Sequence, residues 1–370
     1  MLFILMNKDT ELMHFMCEMV GFRYNFVILS GGLPDLYHDI SLRDFLETRR
    51  PAKHRVEIAR LLRNMKMSYL TDFISVSYGL TVTDTLWLKP IDSKLTWQDV
   101  SLYQNSFNTV ISRYAFTGVS NQLLARSTSP EFGTDGMLPK CWVRLEDDIY
   151  LLKRGYSGYW NPENECFSEY FASQLLDALG FNHISYDLVM FHDKLASKCK
   201  LYTNESVSMF PAAYEMQDCV ALSDYLSVVA SLDCLEDFKK ILVFDALVYN
   251  YDRHLSNIQF LYDADKLVIK GLAPIFDNGA SLGSRCTHDD FDSIKQYCKS
   301  KRPVIYEDFD SNLPQLISDD VYAKLLSVSD FQFENKGIRR MNSVRFDSLN
   351  RLIRERIQEV IRLARPVKFN

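Results

Sequence analysis

The chain has 370 residues, 47% hydrophobic and 24% charged, with 13% aromatics; that is ordinary globular composition, and the length points to two or three domains rather than one small core. A formal net charge of −6 argues against a protein built mainly to coat nucleic acid. Eight cysteines are scattered without a Cys-x-x-Cys pair, which indicates neither a zinc cluster nor a disulfide framework and fits reduced thiols in a cytoplasmic protein.

Met1–Met6 is apolar but too short for a signal core or a span, and Lys8, Asp9 and Glu11 interrupt it, so it reads as a first strand. No apolar run reaches membrane-spanning length, and no membrane association is expected. Tyr24–Leu29 reads as a strand ended by Gly31-Gly32. Ser41 is placed to cap a helix through Leu46, interrupted at Pro51 and resumed through Leu62. The segment from Leu80 to Trp97 reads as strand and loop, and Gln104 to Thr109 as a linker. Residues 1–110 therefore form an N-terminal accessory region without recognisable chemistry, internal repeat or low-complexity tract.

Trp142–Leu145, an acidic turn at Glu146–Asp148, and Ile149–Lys153 read as a hairpin whose second strand ends in Lys153. Asn164-Glu165 opens a helix with Phe167, Tyr170, Phe171, Leu175, Leu176 and Leu179 on its apolar side and Gly180 at its stop. Glu165 and Glu169 lie one turn apart on one face. Glu163 and Glu169 read as solvated or first-turn carboxylates favoured by the helix dipole.

The most informative stretch follows. Glu236–Asn250 carries apolar residues at helical spacing and delivers the loop Tyr251-Asp252-Arg253-His254-Leu255-Ser256-Asn257. Two short β-rich runs, Ile258–Tyr262 and Leu267–Lys270, surround a polar turn and return the chain to Asp277-Asn278-Gly279. Phosphoryl transfer requires an Asp beside the attacking hydroxyl, an Asn five residues later for a metal, and a second metal-binding Asp. Asp252, Asn257 and Asp277 occur in that order. His254 reads as a packed residue bracing the loop.

Asp252-Arg253-His254 with Asn257, then Asp277-Asn278-Gly279, resembles the catalytic and metal-binding loops of HipA-like serine/threonine kinases, specifically over about residues 130–285. The resemblance implies a two-lobed, protein-kinase-like α+β fold behind the accessory region, with a small lobe over residues 111–214 and a mostly helical large lobe over 215–370. It implies ATP and Mg²⁺ as cofactors, Lys153 as the nucleotide lysine, Glu165 as its partner with Glu169 as the rival, Asn257 and Asp277 as metal ligands, and Asp252 as the residue that aligns the acceptor hydroxyl. Thr134–Lys140 resembles the family's phosphate loop: Gly136 lets the backbone approach the phosphates, and backbone N–H groups and Lys140 supply positive potential. Its alternative is a surface turn. The implied partners are a protein substrate with a Ser or Thr acceptor and an antitoxin-like or regulatory protein. A lipid or small-molecule kinase with the same loops, and a pseudokinase that keeps the fold without transfer, remain alternatives.

From Lys336 to Lys368 the chain turns basic, with ten Lys or Arg residues, while Phe346, Leu349, Ile353, Ile357 and Val360 form a helical apolar stripe. This is expected to be a terminal helix packed on its domain with a solvated basic face; contact with an acidic partner or nucleic acid is the second reading.

Overall fold

The computed structural model describes residues 1–20, 23–51, 56–65, 70–119, 127–155 and 163–365. Lys368, the end of the basic stretch, lies outside them. The chain divides into two compact units: Met1–Lys153 with Lys200–Phe210 and Leu261–Lys270, and Arg154–Cys199 with Pro211–Phe260 and Gly271–Asn370.

In the first unit, strands β1 (Leu2–Asn7), β2 (Thr10–Val20), β3 (Arg23–Gly31) and β4 (Leu86–Pro90) form an antiparallel sheet in the order β3-β2-β1-β4. Met13, Phe15 and Cys17 alternate inward along β2, the period-two pattern of a sheet covered on one face. Gly31 ends β3 at φ +71, where a Cβ would run into the Leu12 carbonyl, so the break requires glycine. Helices α1 (Leu42–Thr48), α2 (Val56–Asn64) and α3 (Leu70–Ser77) follow, and the Ser41 side chain caps α1 by accepting from the Asp44 N–H at 3.2 Å. After α4 (Trp97–Val100), the expected linker runs into a packed helix instead. Asn108 caps α5 (Thr109–Thr117), which buries Ile111, Tyr114, Ala115 and Phe116. The hairpin of β5 (Lys140–Leu145) and β6 (Asp148–Lys153) forms where it was expected. Ile4, Met6, Trp87, Trp97, Trp142 and Ile149 share one hydrophobic core.

The second unit begins with α6 (Asn164–Leu179), stopped by Gly180 at φ 60 as expected, and the hairpin β7 (Tyr186–Phe191) and β8 (Lys194–Lys200). β9 (Val207–Pro211) lies almost wholly in the Lys200–Phe210 segment of the first unit; the second unit continues with α7 (Ala213–Met216), α8 (Leu222–Ser231) and α9 (Leu235–Val248). β10 (Gln259–Asp263) and β11 (Val268–Leu272), most of whose residues belong to the Leu261–Lys270 segment of the first unit, form a sheet in the order β11-β10-β9, and helices α10 (Phe291–Lys299), α11 (Leu313–Leu316), α12 (Asp319–Ser327) and α13 (Ser343–Ala364) complete the second unit. Phe171 of α6 packs its ring against Phe333 and Phe346, at 5.1 and 5.8 Å between centroids.

α13 buries Leu349, Ile353, Ile357 and Val360 as its stripe requires, but two of its arginines are buried as well. Arg345 donates to the carbonyls of Gly283, Cys286 and His288, and Arg356 donates to Ala246 O and pairs with Asp310 and Glu359. Those two charges hold the unit together and do not belong to a solvated basic face. No helix among the described residues is long and apolar enough to cross a membrane.

Candidate active site

Within the second unit, α9 ends when Tyr249 takes a left-handed conformation at φ 53 and the Asn250 N–H closes onto Asp245 O at 2.9 Å. The chain leaves the helix directly into the loop. Asn250 is fully buried, and its side-chain oxygen accepts from the Asp252 N–H at 3.2 Å, which aims Asp252 outward. Asp252 is exposed. Its carbonyl accepts from the His254 N–H at 2.9 Å and from the Asn257 amide at 3.0 Å, closing a short 3-10 turn over Leu255–Asn257.

The brace of this loop is Arg253. Its guanidinium is 1% exposed and forks onto Asp245, with Nε 3.0 Å and Nη2 3.0 Å from the carboxylate oxygens. Its remaining donors reach Asn257 O at 3.1 Å, Phe276 O at 2.5 Å and Asn278 Oδ1 at 2.7 Å. One planar, five-donor side chain thereby ties α9, the Asp252 loop and the Asp277 loop into one rigid set. Burial pushes the Asp245 carboxyl above the ordinary carboxylate range, against the pull of Arg253 and Asn250. His254, expected to brace the loop, is half-buried and makes no side-chain hydrogen bond among the described residues.

Asp277 sits at φ 53, a left-handed backbone that costs a non-glycine residue energy and persists only where its surroundings fix it. Fixing comes from the bond of its N–H to the Tyr186 hydroxyl at 3.2 Å, and from Arg253 gripping the residues on either side. Ser281 Oγ further holds Asn278 O at 2.6 Å. The donor set suits a hard cation that completes its shell elsewhere. With its amide nitrogen committed to Asp252 O, Asn257 has its oxygen left to offer, and Asp277 adds a carboxylate. Mg²⁺ typically takes one or two protein oxygen ligands and fills its octahedron with phosphate and water oxygens. No cluster of three or more His, Cys, Asp or Glu suited to a metal occurs among the described residues.

At the start of α6 in the same unit, Glu165 is 5% exposed and accepts from Arg285 Nε at 3.1 Å. Glu169 is 1% exposed and accepts from the Ser197 hydroxyl, so it is not the solvated carboxylate expected. Its burial comes from β8, which no feature of the helix announces. Glu163 is the residue before the helix and pairs with Arg339 at 2.8 Å.

In the first unit, the β5–β6 register sets Lys140 directly opposite Lys153. Directly opposed residues share a face with their Cβ atoms about 4.5–5.5 Å apart, where like charges repel unless an anion lies near. Both lysines are buried. The Lys140 ammonium donates to Asp135 O at 2.7 Å, folding across Gly136, which stands at φ +88. The backbone angle at Gly136 favours glycine, whereas a Cβ there would meet only the flexible end of the Lys140 side chain, which can shift. Trp142 Nε1 donates to Thr134 Oγ1 at 2.8 Å and fixes the start of this loop, while buried Glu131 accepts from Ser112 Oγ and the Trp142 N–H, both at 2.9 Å.

The chain is 27% identical over 190 residues to the serine/threonine-protein kinase CtkA of Helicobacter pylori, a match covering 47% of this chain and 57% of that one. It thus spans just over half the length of that relative. The crystal structure of the H. pylori proinflammatory kinase CtkA superposes with a TM-score of 0.51 at 22% identity, covering 64% of this chain and 93% of that one. The chain has a CtkA-like kinase fold. A looser likeness, TM-score 0.49 at 10% identity over 98% of this chain and 99% of the other, is to Shewanella oneidensis HipA, solved with HipB and operator DNA. No protein-family model matches the chain.

The resemblance to HipA-like serine/threonine kinases is borne out, and so is the α+β kinase-like class. In this CtkA-like fold, four polar residues that the sequence reading assigned no role, Asp245, Asn250, Arg253 and Asn278, are nearly inaccessible and hold the two loops in place. The available signal was an Asp on the buried side of α9 eight residues before an Arg that flanks Asp252.

Proposed function

We propose that this protein is an ATP- and Mg²⁺-dependent kinase that phosphorylates serine or threonine residues of a protein in the cytoplasm. The observation that carries the reading is the Arg253 tie, whose buried guanidinium grips Asn257 O, Phe276 O and the Asn278 side chain and so joins the loops that carry Asp252, Asn257 and Asp277. An exposed carboxylate on a rigid loop is suited to align a hydroxyl and take its proton. The acceptor oxygen bonds to the γ-phosphorus as the bond from that phosphorus to the β,γ-bridging oxygen breaks, ADP leaves with the electron pair, and the proton passes to Asp252. Asn257 and Asp277 would hold Mg²⁺, which neutralises charge on the phosphate oxygens. Lys153, Lys140 and the Gly136 backbone are assigned to the phosphates, and Glu165 to orienting Lys153. By the same family resemblance, control by an antitoxin-like protein partner is part of the proposal.

Thermal melting with ATP, with and without Mg²⁺, tests the first step, because a ligand specific to the folded state raises the midpoint in proportion to ln(1 + [L]/Kd). A midpoint unmoved at millimolar nucleotide removes the reading. Incubation with labelled ATP and a lysate tests the second: label on protein Ser or Thr supports it, label only on lipid or small molecules redirects it, and binding without transfer makes the chain a pseudokinase.

A further inference from the structure

Tyr251, the residue before Asp252, packs its ring edge-on against Tyr297 of α10, with centroids 6.4 Å apart and hydroxyls 3.4 Å apart. Lys301, two residues past the end of α10, places its ammonium 4.2 Å from the Tyr297 centroid and 5.2 Å from that of Tyr251. On α10 itself the lysines are neutralised, Lys295 by Glu355 at 2.7 Å and Lys299 by Glu359 at 3.4 Å, whereas Arg302, next after Lys301, is exposed to solvent. Lys301 has no carboxylate partner among the described residues and is half-buried rather than free in solvent. Two aromatic faces hold this cation, and one of them, Tyr251, is the residue before Asp252. Arg285 also feels this corner; burial opposes its charge, but Tyr251, Glu165 and Asp252 together hold its pKa above the ordinary value. Arg285 is already engaged by Glu165, so Lys301, held against the Tyr251 ring, is a charge placed to meet a ligand.

Resting on the kinase reading above, we infer that Lys301, set by Tyr251 and Tyr297, is a specificity-determining residue that selects protein substrates carrying an anionic side chain close in sequence to the accepting Ser or Thr. The shared chemistry is a carboxylate or a phosphoryl group. A lysine ordered by two rings loses less side-chain freedom when it binds an anion than a solvated one does, and a like charge on the substrate is repelled, which gives discrimination against basic sequences.

The test is a positional-scanning library of Ser/Thr peptides with Mg²⁺-ATP and the full chain. The wild type should favour Asp, Glu or phosphoserine at one flanking position. Matched peptides with glutamate or phosphoserine there separate the two anion sources. Lys301→Ala should raise KM for the acidic peptide roughly fivefold, the scale of a half-exposed ion pair, with kcat and KM for ATP held. Lys301→Arg should restore the preference and Lys301→Glu should invert it towards basic residues. Transfer without any flanking preference, or a preference unchanged in Lys301→Glu, overturns the inference alone. No transfer to any peptide by the wild type removes the kinase reading and this inference with it.

Discussion

Replacing Arg253 by methionine keeps much of the buried volume but removes the guanidinium from a fully enclosed site. The Asp245 carboxylate, 0% exposed, then loses its bidentate partner, and Asn257 O, Phe276 O and Asn278 Oδ1 lose their donor. Breaking a buried ion pair from one side costs about 3–5 kcal/mol because the remaining charge stays desolvated. That is a large part of the ~5–15 kcal/mol by which a domain is stable. Replacing both partners, Asp245→Leu with Arg253→Met, leaves no buried charge, and such swaps are often close to neutral. The double variant should therefore regain the part of the stability lost in Arg253→Met that comes from the stranded carboxylate, while the three acceptors without their donor keep the remainder of the deficit. Activity should not return with it, because the carbonyls of Asn257 and Phe276 and the Asn278 amide still have nothing to hold them in register with Asp252. Urea denaturation and a phosphotransfer assay on the two single variants and the double variant separate the effects. A double variant as unstable as Arg253→Met would show that the cost is not the stranded charge, and one with wild-type transfer would show that the tie between the loops does not serve catalysis.

Asp252→Asn should lower transfer by roughly 10²- to 10⁴-fold, the scale of a positioned acid–base group, with Mg²⁺-ATP affinity nearly intact; Asp277→Asn should weaken both turnover and the Mg²⁺-dependent part of nucleotide binding, and equal loss of affinity in calorimetric titrations of the two refutes the division of roles. Lys153→Met should abolish transfer and Glu165→Gln weaken it; an unimpaired Glu165→Gln beside an inactive Glu169→Gln would move the lysine's partner one turn along α6. Burial raises the Glu131 carboxyl despite its donors Ser129, Trp142 and Ser112, so the folded state holds the proton more tightly than the unfolded chain does. Its contribution to stability is then present below the unfolded pKa, about 4.3 for Glu, and lost as pH rises through the raised folded value. Denaturation midpoints followed upwards from pH 4 should fall over that window in the wild type and be flatter in Glu131→Gln; parallel profiles contradict this.

The elements that carry the candidate residues were legible because their signals are local. Alternation and an acidic turn announce the β5–β6 hairpin with Lys153 at its end; helical spacing and Gly180 announce α6; and Asp252, Asn257 and Asp277 stand in the order that phosphoryl transfer requires. Thr10–Val20 escaped notice because His14 and Glu18 interrupt its apolar residues, and only pairing with β1 and β3 makes the alternation of Met13, Phe15 and Cys17 meaningful. Arg345 and Arg356 were read as surface charge, yet they are eleven residues apart and so fall on one helical face, four residues from Leu349 and from Val360. Period alone could have placed them inward.

The sequence by itself supplied the candidates for chemistry, because an aspartate, an amide and a second aspartate in the order phosphoryl transfer uses can be read along the chain before any fold is known. Tertiary structure decided what holds them. Arg253 looks like a loop residue until a helix eight residues upstream presents Asp245 and a loop more than twenty residues downstream presents Phe276 O and Asn278. Glu169 looks solvated until Ser197 of β8 covers it. Whether a charge is buried depends on partners brought from far along the chain, and the free energy of desolvating it is met only when those partners arrive together. Local pattern cannot encode that arrival.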